Sequence, residues 1–436
     1  FSFFPPFSGK VNIHPCPNIM IYNISYVKVE WPVIMGAGGY LFSMYIVDDP
    51  TNPVAVVKDS IIDGCSVACT YLDDTNYKVE IKTLGNDKYN NKDAASVSEV
   101  TWSTLVPATT IPAGTDLNTY FENNPITSGK DVEVAYELEA GGSYTISGDL
   151  NLGVNNVQLR GNKVNHAKVT FTGSGAIVSS GGGMALKFID FDCDVVSKGS
   201  FVKFGDVPEE IKGMNSYGIV TNPMIIQSCE IRNVRHYLVN INGKKYAIQN
   251  FIVRDCLIKF YQDAEIFHFN SNNSFVKDFE LSSSTLYNLS EASNGRFMRV
   301  AGGKGADVGW ADCSMNFTSN TFYNISCDQE AFNSNVWNRQ KNTVNLSKNI
   351  FYDSCKGEFN RRIVGGRTDN AKTCDNNCYW YKGGSGLEKE ANGNYGDKST
   401  SAYGVDPGFK DPANGDFTVR HSEVISHGSG DPRWLK

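Results

Sequence analysis

The chain has 436 residues, a formal net charge of −7, 12% Phe, Tyr and Trp, and 41 glycines. That is enough sequence for two or three domains and a large core, and the moderate charge with abundant aromatics excludes a disordered chain. A net acidic surface argues against nucleic acid as a partner, and no apolar run approaches the roughly 18 residues that cross a bilayer.

Residues 1–103 carry short strand patterns: Tyr26-Val-Lys-Val-Glu-Trp31, Tyr40-Leu-Phe-Ser-Met-Tyr-Ile46 and Asn76-Tyr-Lys-Val-Glu-Ile81. Alternation puts Val27, Val29 and Trp31 on one face, and Gly36-Ala-Gly-Gly39 and Asp73-Asp74 are turn material. The Trp ending one strand, the Gly-Tyr opening the next, and Leu72 followed five residues on by Tyr77 resemble a fibronectin type III domain. In that family the Tyr ties a corner between strands to upstream backbone, a structural role.

Residues 104–130 read as a linker followed by a capping helix. Ser103 to Gly114 holds two prolines, and Thr115-Asp116 caps a short helix with Leu117, Tyr120 and Phe121 on one face. A stack of strands ends in bare edges, and this helix is the expected cover.

Strands resume at Val132, and from Met224 to Trp380 a repeat is legible. Six segments align: Met224-Ile-Ile-Gln-Ser-Cys-Glu-Ile, Phe251-Ile-Val-Arg-Asp-Cys-Leu-Ile, Phe279-Glu-Leu-Ser-Ser-Ser-Thr-Leu, Met315-Asn-Phe-Thr-Ser-Asn-Thr-Phe, Val344-Asn-Leu-Ser-Lys-Asn-Ile-Phe and Lys372-Thr-Cys-Asp-Asn-Asn-Cys-Tyr. Their sixth places, Cys229, Cys256, Ser284, Asn320, Asn349 and Asn377, lie 27, 28, 36, 29 and 28 residues apart. Apolar residues at the first, third and eighth places mean strands, and a period near 28 without helix implies a coil of parallel strands over residues 131–436, with the sixth place as an inward ladder. Met184 to Cys193 reads as a further unit, and Val195 to Asn222 as a loop thrown out between turns. The expected fold class is therefore all-β, a fibronectin type III-like sandwich followed by a right-handed parallel β-helix.

The tail, Asp406-Pro-Gly-Phe-Lys-Asp-Pro-Ala-Asn-Gly-Asp-Phe-Thr-Val419 and Gly428-Ser-Gly-Asp-Pro-Arg-Trp434, taken with the ladder, is similar to the end of pectate-lyase-like right-handed β-helix proteins. The resemblance is to secreted or surface proteins of gut Bacteroidetes that place such a coil after a type III module. It implies a glycan setting: secreted, periplasmic or cell-surface location with the export signal absent from this chain, a polysaccharide or oligosaccharide partner, and a monomer. In uronate-cleaving relatives an Arg or Lys base works on an outer sheet, and Ca²⁺ held by Asp or Glu neutralises the substrate carboxylate.

A second strand follows each ladder segment, and stacking these aligns Asn240, His268, Arg299, Asn333 and Arg361 as an outward stripe, with Glu265, Arg296, Glu330 and Glu358 beside it. Catalysis, if present, falls to His268, Arg299 and Arg361. Asn240, Glu265, Arg296, Glu330 and Glu358 would bind sugar hydroxyls, and Trp337 or Tyr237 would stack on a sugar face. The same stripe also reads as an ordinary polar outer face stabilised by cross-strand pairs. Asp190, Asp192 and Asp194 project from one strand about 7 Å apart and are the candidate calcium ligands, although the spaced calcium loop with its Gly is missing.

Eleven cysteines without regular CxxC pairs suggest neither a disulfide framework nor zinc; Cys65 with Cys69, and Cys374 with Cys378, are the pairs close enough to bridge in an oxidising compartment. The expected function is polysaccharide binding along the outer face, with lyase activity as an addition. The alternatives are a non-catalytic adhesive or structural surface protein, or a glycoside hydrolase, whose paired carboxyls alternate rungs would supply, as with Glu330 and Glu358.

Overall fold

A computed structural model describes residues 2–3, 12–15, 25–194, 199–269, 274–290, 295–300, 304–333, 341–363, 371–392 and 396–436. The chain divides into two compact units, Phe1–Pro107 and Ala108–Lys436.

Among the described residues the first unit holds a short parallel pair, Ser2–Phe3 with Asn91–Lys92, and two antiparallel sheets. One orders Asn12–Pro15, Ser25–Glu30 and Ser66–Tyr71; the other orders Val54–Ile62, Gly39–Ile46, Asn76–Leu84 and Ser98–Ser103. Val27 and Val29 from one sheet share a core with Phe42, Met44, Val79 and Ile81 from the other. The alternation read from sequence therefore holds. Trp31 stacks on Phe42 with ring centroids 6.0 Å apart and meets Tyr40 edge-on. The buried Tyr77 hydroxyl accepts a 2.7 Å hydrogen bond from the Leu72 amide, tying the corner between strands. Cys65 and Cys69 are both free thiols, so the bridge between them does not form; nor does the Cys374–Cys378 bridge, whose two thiols lie in or beside successive strands.

Among the described residues the second unit is a coil built on three sheets of parallel strands; the turns from Leu150 to Arg299 visit all three in order, and the later turns add strands to the first two. The first sheet runs from Ala108–Ile111 to Ala371–Asp375, the second from Ser143–Ile146 to Cys378–Tyr381, and the third from Leu150–Gly153 to Met298–Arg299. Two stretches expected as irregular contribute strands. Ala108–Ile111, bounded by Pro107 and Pro112, opens the first sheet because its β-branched Thr-Thr-Ile run favours extended backbone. Within the segment expected as a loop, Ser200–Phe204 joins the third sheet and buries Phe201, Val202 and Phe204, while Gly218–Val220 pairs beside Tyr246–Arg254; residues 195–198 of that segment lie outside the described set. The helix Leu117–Asn123 is capped by the Asp116 carboxylate, which accepts from the Thr119 amide at 3.0 Å, and its Leu117 and Phe121 join the coil's core.

The inward ladder is as the repeat implies. In each unit the fifth residue adopts a left-handed conformation, at Ser228, Asp255, Ser283, Ser319, Lys348 and Asn376, which turns the chain from the first sheet to the second. The next residue points inside and is fully buried in the Asn units. The Asn320 side-chain nitrogen donates to the Asn349 side-chain oxygen at 3.0 Å, and Asn349 donates likewise to Asn377 at 3.0 Å. Each of those oxygens also accepts the preceding backbone amide, at 3.1 and 3.0 Å. Asn377 ends the series by donating to the buried Asp397 carboxylate at 3.2 Å, which also accepts from the Tyr379 hydroxyl at 2.8 Å. Every polar group that the bend turns inward thus has a partner, the condition for burying it.

The C-terminal tail lies over the outer face of the second sheet. Trp434 Nε1 donates to Thr285 Oγ1 at 2.8 Å, Phe417 meets Tyr287 and Tyr323, and Phe409 meets Tyr352. Asp431 is buried there, accepting from the Thr285 hydroxyl at 2.8 Å and pairing with Arg433 at 3.0 Å. Among the described residues no helix is long and apolar enough to cross a membrane.

Candidate functional site

The stripe sits on the third sheet. Asn240 pairs with His268, and His268 with Arg299, on consecutive rungs; Met298 bridges Phe332 on the rung after. Each rung turns two successive residues inward, not one. Leu238 and Val239, Ile266 and Phe267, Phe297 and Met298, and Ala331 and Phe332 are all buried, between less buried neighbours on either side. Outward residues therefore recur at a spacing of three: Tyr237 and Asn240, Glu265 and His268, Arg296 and Arg299, Glu330 and Asn333. Two outward ladders result instead of the simple alternation expected.

Charges on the two ladders bind one another across rungs. Arg299 reaches back to Glu265 at 2.7 Å. Glu330, 15% exposed at its side chain, meets Arg296 at 3.3 Å, Arg361 at 2.8 Å and Arg362 at 2.8 Å. Arg361 also pairs with Glu358 at 2.9 Å. Glu358 and Arg361 follow the short helical turn Cys355–Gly357 and extend the pattern without joining the sheet.

Around His268 the stripe carries an aromatic stack and an amide. The His268 ring stacks on Tyr237, with centroids 5.2 Å apart and planes 16° off parallel, and its Nδ1 lies 3.2 Å from the Asn240 side-chain oxygen. An amide oxygen accepts, so Nδ1 carries the proton and Nε2 is left as an acceptor. Burial lowers the His268 pKa, with the Arg299 charge adding to that and Glu265 opposing it. Beside it His236 pairs with Asp263 at 2.7 Å.

The structure thus brings together Asn240, His268, Arg299, Glu265, Arg296 and Glu330, with Arg361 and Glu358 at one end. Trp337 lies outside the described residues. One member, Lys203, was missed by sequence, and a second, Arg362, is legible there only as part of an Arg361-Arg362 pair able to bind an acidic sugar. Arg362 completes the set around Glu330, and Lys203 pairs with Asn240 one rung earlier while bonding Asp149 at 2.6 Å. The apolar-polar-apolar pattern of Phe201-Val-Lys-Phe204 was the signal for Lys203, hidden by reading that segment as a loop.

The three aspartates proposed for calcium are not brought together as ligands. Asp190 holds His166 at 2.9 Å, Asp192 accepts from the Asn233 side chain at 3.0 Å, and Asp194 faces Arg235 at 3.4 Å. A calcium site needs six to eight oxygens converging on one point. Among the described residues no three His, Cys, Asp or Glu groups converge so, and this donor set does not fit the ion.

Three family models match successive stretches of the chain, each described as a domain of unknown function: DUF4992 over residues 18–141, DUF4957 over 142–289 and DUF5123 over 315–434. The last two cover most of the coil. No curated protein matches the chain. Among solved structures, the catalytic unit of a thermostable GH87 alpha-1,3-glucanase from Streptomyces thermodiastaticus strain HF3-3 is similar at 13% identity, over 83% of this chain and 81% of that one, with a TM-score of 0.26. A score of that size is a weak likeness of shape and carries no activity to this chain.

Proposed function

We propose that this is an exported, glycan-associated protein that binds a polysaccharide along the outer face of the third sheet. The observation that supports it is the aromatic part of the stripe: the stacked Tyr237 and His268, with Asn240 beside them, between Lys203 and the Arg299–Glu265 pair. An aromatic edge flanked by amide, imidazole and fixed charged donors and acceptors is the chemistry that recognises sugar rings and their hydroxyls. The coil is read as a right-handed parallel β-helix of the pectate-lyase-like kind, the hand being the usual one for parallel crossovers. The first unit is read as a fibronectin type III-like spacer, a reading supported by its two sheets and by the Tyr77 bond to Leu72.

The ion pairs argue against Arg299 and Arg361 as the proton-abstracting base and leave His268 Nε2 as the candidate for that role. A base that removes a proton must have a lone pair free for it, whereas the Arg299 and Arg361 guanidinium groups are already engaged with Glu265, Glu330 and Glu358. Affinity electrophoresis of the full chain through gels containing neutral and acidic polysaccharides tests the reading. Retardation by at least one polymer, lost in Tyr237→Ala and Arg299→Ala, is expected. Mobility unchanged by every polymer sinks it in favour of an adhesive or structural role. Absorbance near 235 nm, from unsaturated uronate, tests lyase activity in the same samples.

A further inference from the structure

One outward ladder of the second sheet runs Lys168, Asp190, Glu230, Leu257, Thr285, Thr321 and Ile350 on consecutive rungs. Its last three members are fully buried, and the tail meets this end of the ladder through Asp431 and Trp434 at Thr285 and through the Asp431 amide at Thr321. Its first four line an open cavity of about 610 Å³. The loop around His166 forms one wall, and Arg433 closes the end where the tail stops.

The charges in this cavity are unequally satisfied. Asp190 is held by His166 at 2.9 Å, Glu230 by Arg232 at 2.6 Å, and Asp255 by Arg433 at 2.9 Å and the Ser228 hydroxyl at 2.7 Å. The exposed Lys168, directly beside Asp190 in register, makes no ion pair among the described residues. Each of the three carboxylates thus has a partner, and the Lys168 ammonium is the group left open to a ligand oxyanion. The bond to Asp190 places the His166 proton on Nδ1 and leaves Nε2 to meet a hydroxyl, with Asp190 as a positioning residue. Leu257 gives the floor an apolar surface, and the volume suits a ligand of more than one ring.

We infer that this cavity is a second binding site, separate from the third-sheet stripe, for a short saccharide that carries an oxyanion. Lys168 takes the oxyanion, and His166 and the Leu257 floor take the ring. The oxyanion chemistry is common to uronate carboxylates and sugar sulfates, so both are tested.

Isothermal titration of the full chain with a uronate trisaccharide, an O-sulfated trisaccharide and a neutral trisaccharide decides the matter. At least one anionic probe binds and the neutral one does not; the stronger of the two names the source of the charge. Lys168→Ala weakens the binding by about tenfold or more, the scale of one charged hydrogen bond, and Lys168→Arg largely restores it. Arg299→Ala, which disables the stripe, leaves it unchanged, so failure here and failure of the stripe are distinguishable. Because Lys168 is exposed, its variants fold, as a matched thermal melt verifies. The proposal is overturned if neither anionic probe binds at millimolar concentration, or if Lys168→Ala binds as well as the parent.

Discussion

Arg299 and Glu265 face each other from adjacent rungs but opposite ladders, with a guanidinium nitrogen 2.7 Å from the carboxylate. The diagonal follows from the two inward residues in each rung, which set the outward ones three apart. The Arg299 side chain is 40% exposed, so solvent screens the pair and its contribution to stability is under about 1 kcal/mol. Arg299→Ala should therefore leave the melting temperature nearly unchanged while abolishing retardation in a polysaccharide gel. A large fall in melting temperature would make the residue structural.

Glu330 should matter more to stability. Three guanidinium groups converge on its carboxylate, and removing it leaves them facing one another in a partly buried place. Glu330→Ala is expected to cost on the order of 2–3 kcal/mol, against less than about 0.5 for Glu358→Ala, whose carboxylate meets Arg361 alone in the ion pairs described. Urea unfolding of the two variants side by side checks the order; equal costs would refute it.

His268 should make the coil acid-sensitive. Its folded pKa is depressed below 6.5 by burial, so the folded protein prefers the neutral ring. That contribution is fully present above the unfolded value and is lost as pH falls through 6.5 toward the folded value. An NMR titration should place the His268 midpoint below 6.5, and His268→Gln should flatten this part of the stability profile between pH 7 and 5.

Asp431 should act in the opposite sense. Burial under the tail raises its carboxyl from 3.8 to about 6, despite the opposing charge of Arg433. The folded state holds the proton more tightly than the unfolded chain, so the contribution is greatest at low pH and is lost as pH rises through about 6. Asp431→Asn should remove that slope while keeping the bond from Thr285, which proteolysis of the tail across pH 5 to 7 would report.

Asn349→Ala should be among the costliest changes in the coil. It removes the acceptor for both the Asn320 backbone amide and its side chain, and the donor to Phe317 and Asn377. With two or more buried groups left unpaired, a loss on the order of 2–4 kcal/mol is expected in urea. Asn349→Ser, which keeps an acceptor, should recover part of it.

The coil was legible because its repeat is chemical as well as numerical. A left-handed residue followed by a buried Cys, Ser or Asn marks each bend, and apolar residues at fixed places mark the first sheet. The third sheet was read to within its content but not its geometry: Ile266 and Phe297 were not expected inside, since strict alternation would have turned them out. Composition cannot show that two adjacent apolar residues both turn inward. Nor could it pair Asp190 with His166 in place of calcium, because that partner comes from a different turn. The tail's course was also hidden, since Arg433 and Asp255 meet across 178 positions of sequence.

The Asn series has a direction. Each member gives a proton to the next, and a carboxylate, which only accepts, ends the line at Asp397. A chain of donors closed by an acceptor is indifferent to its own length. Whole turns of about 28 residues are therefore interchangeable parts: deleting one between Ser284 and Asn377 brings an equivalent donor to the same terminator, and duplicating one inserts a link that already matches both neighbours. The ladder alone would thus let the coil change length in fixed steps, and it is the tail, which meets Thr285, Thr321 and Tyr352 on successive turns, that holds the number of turns constant.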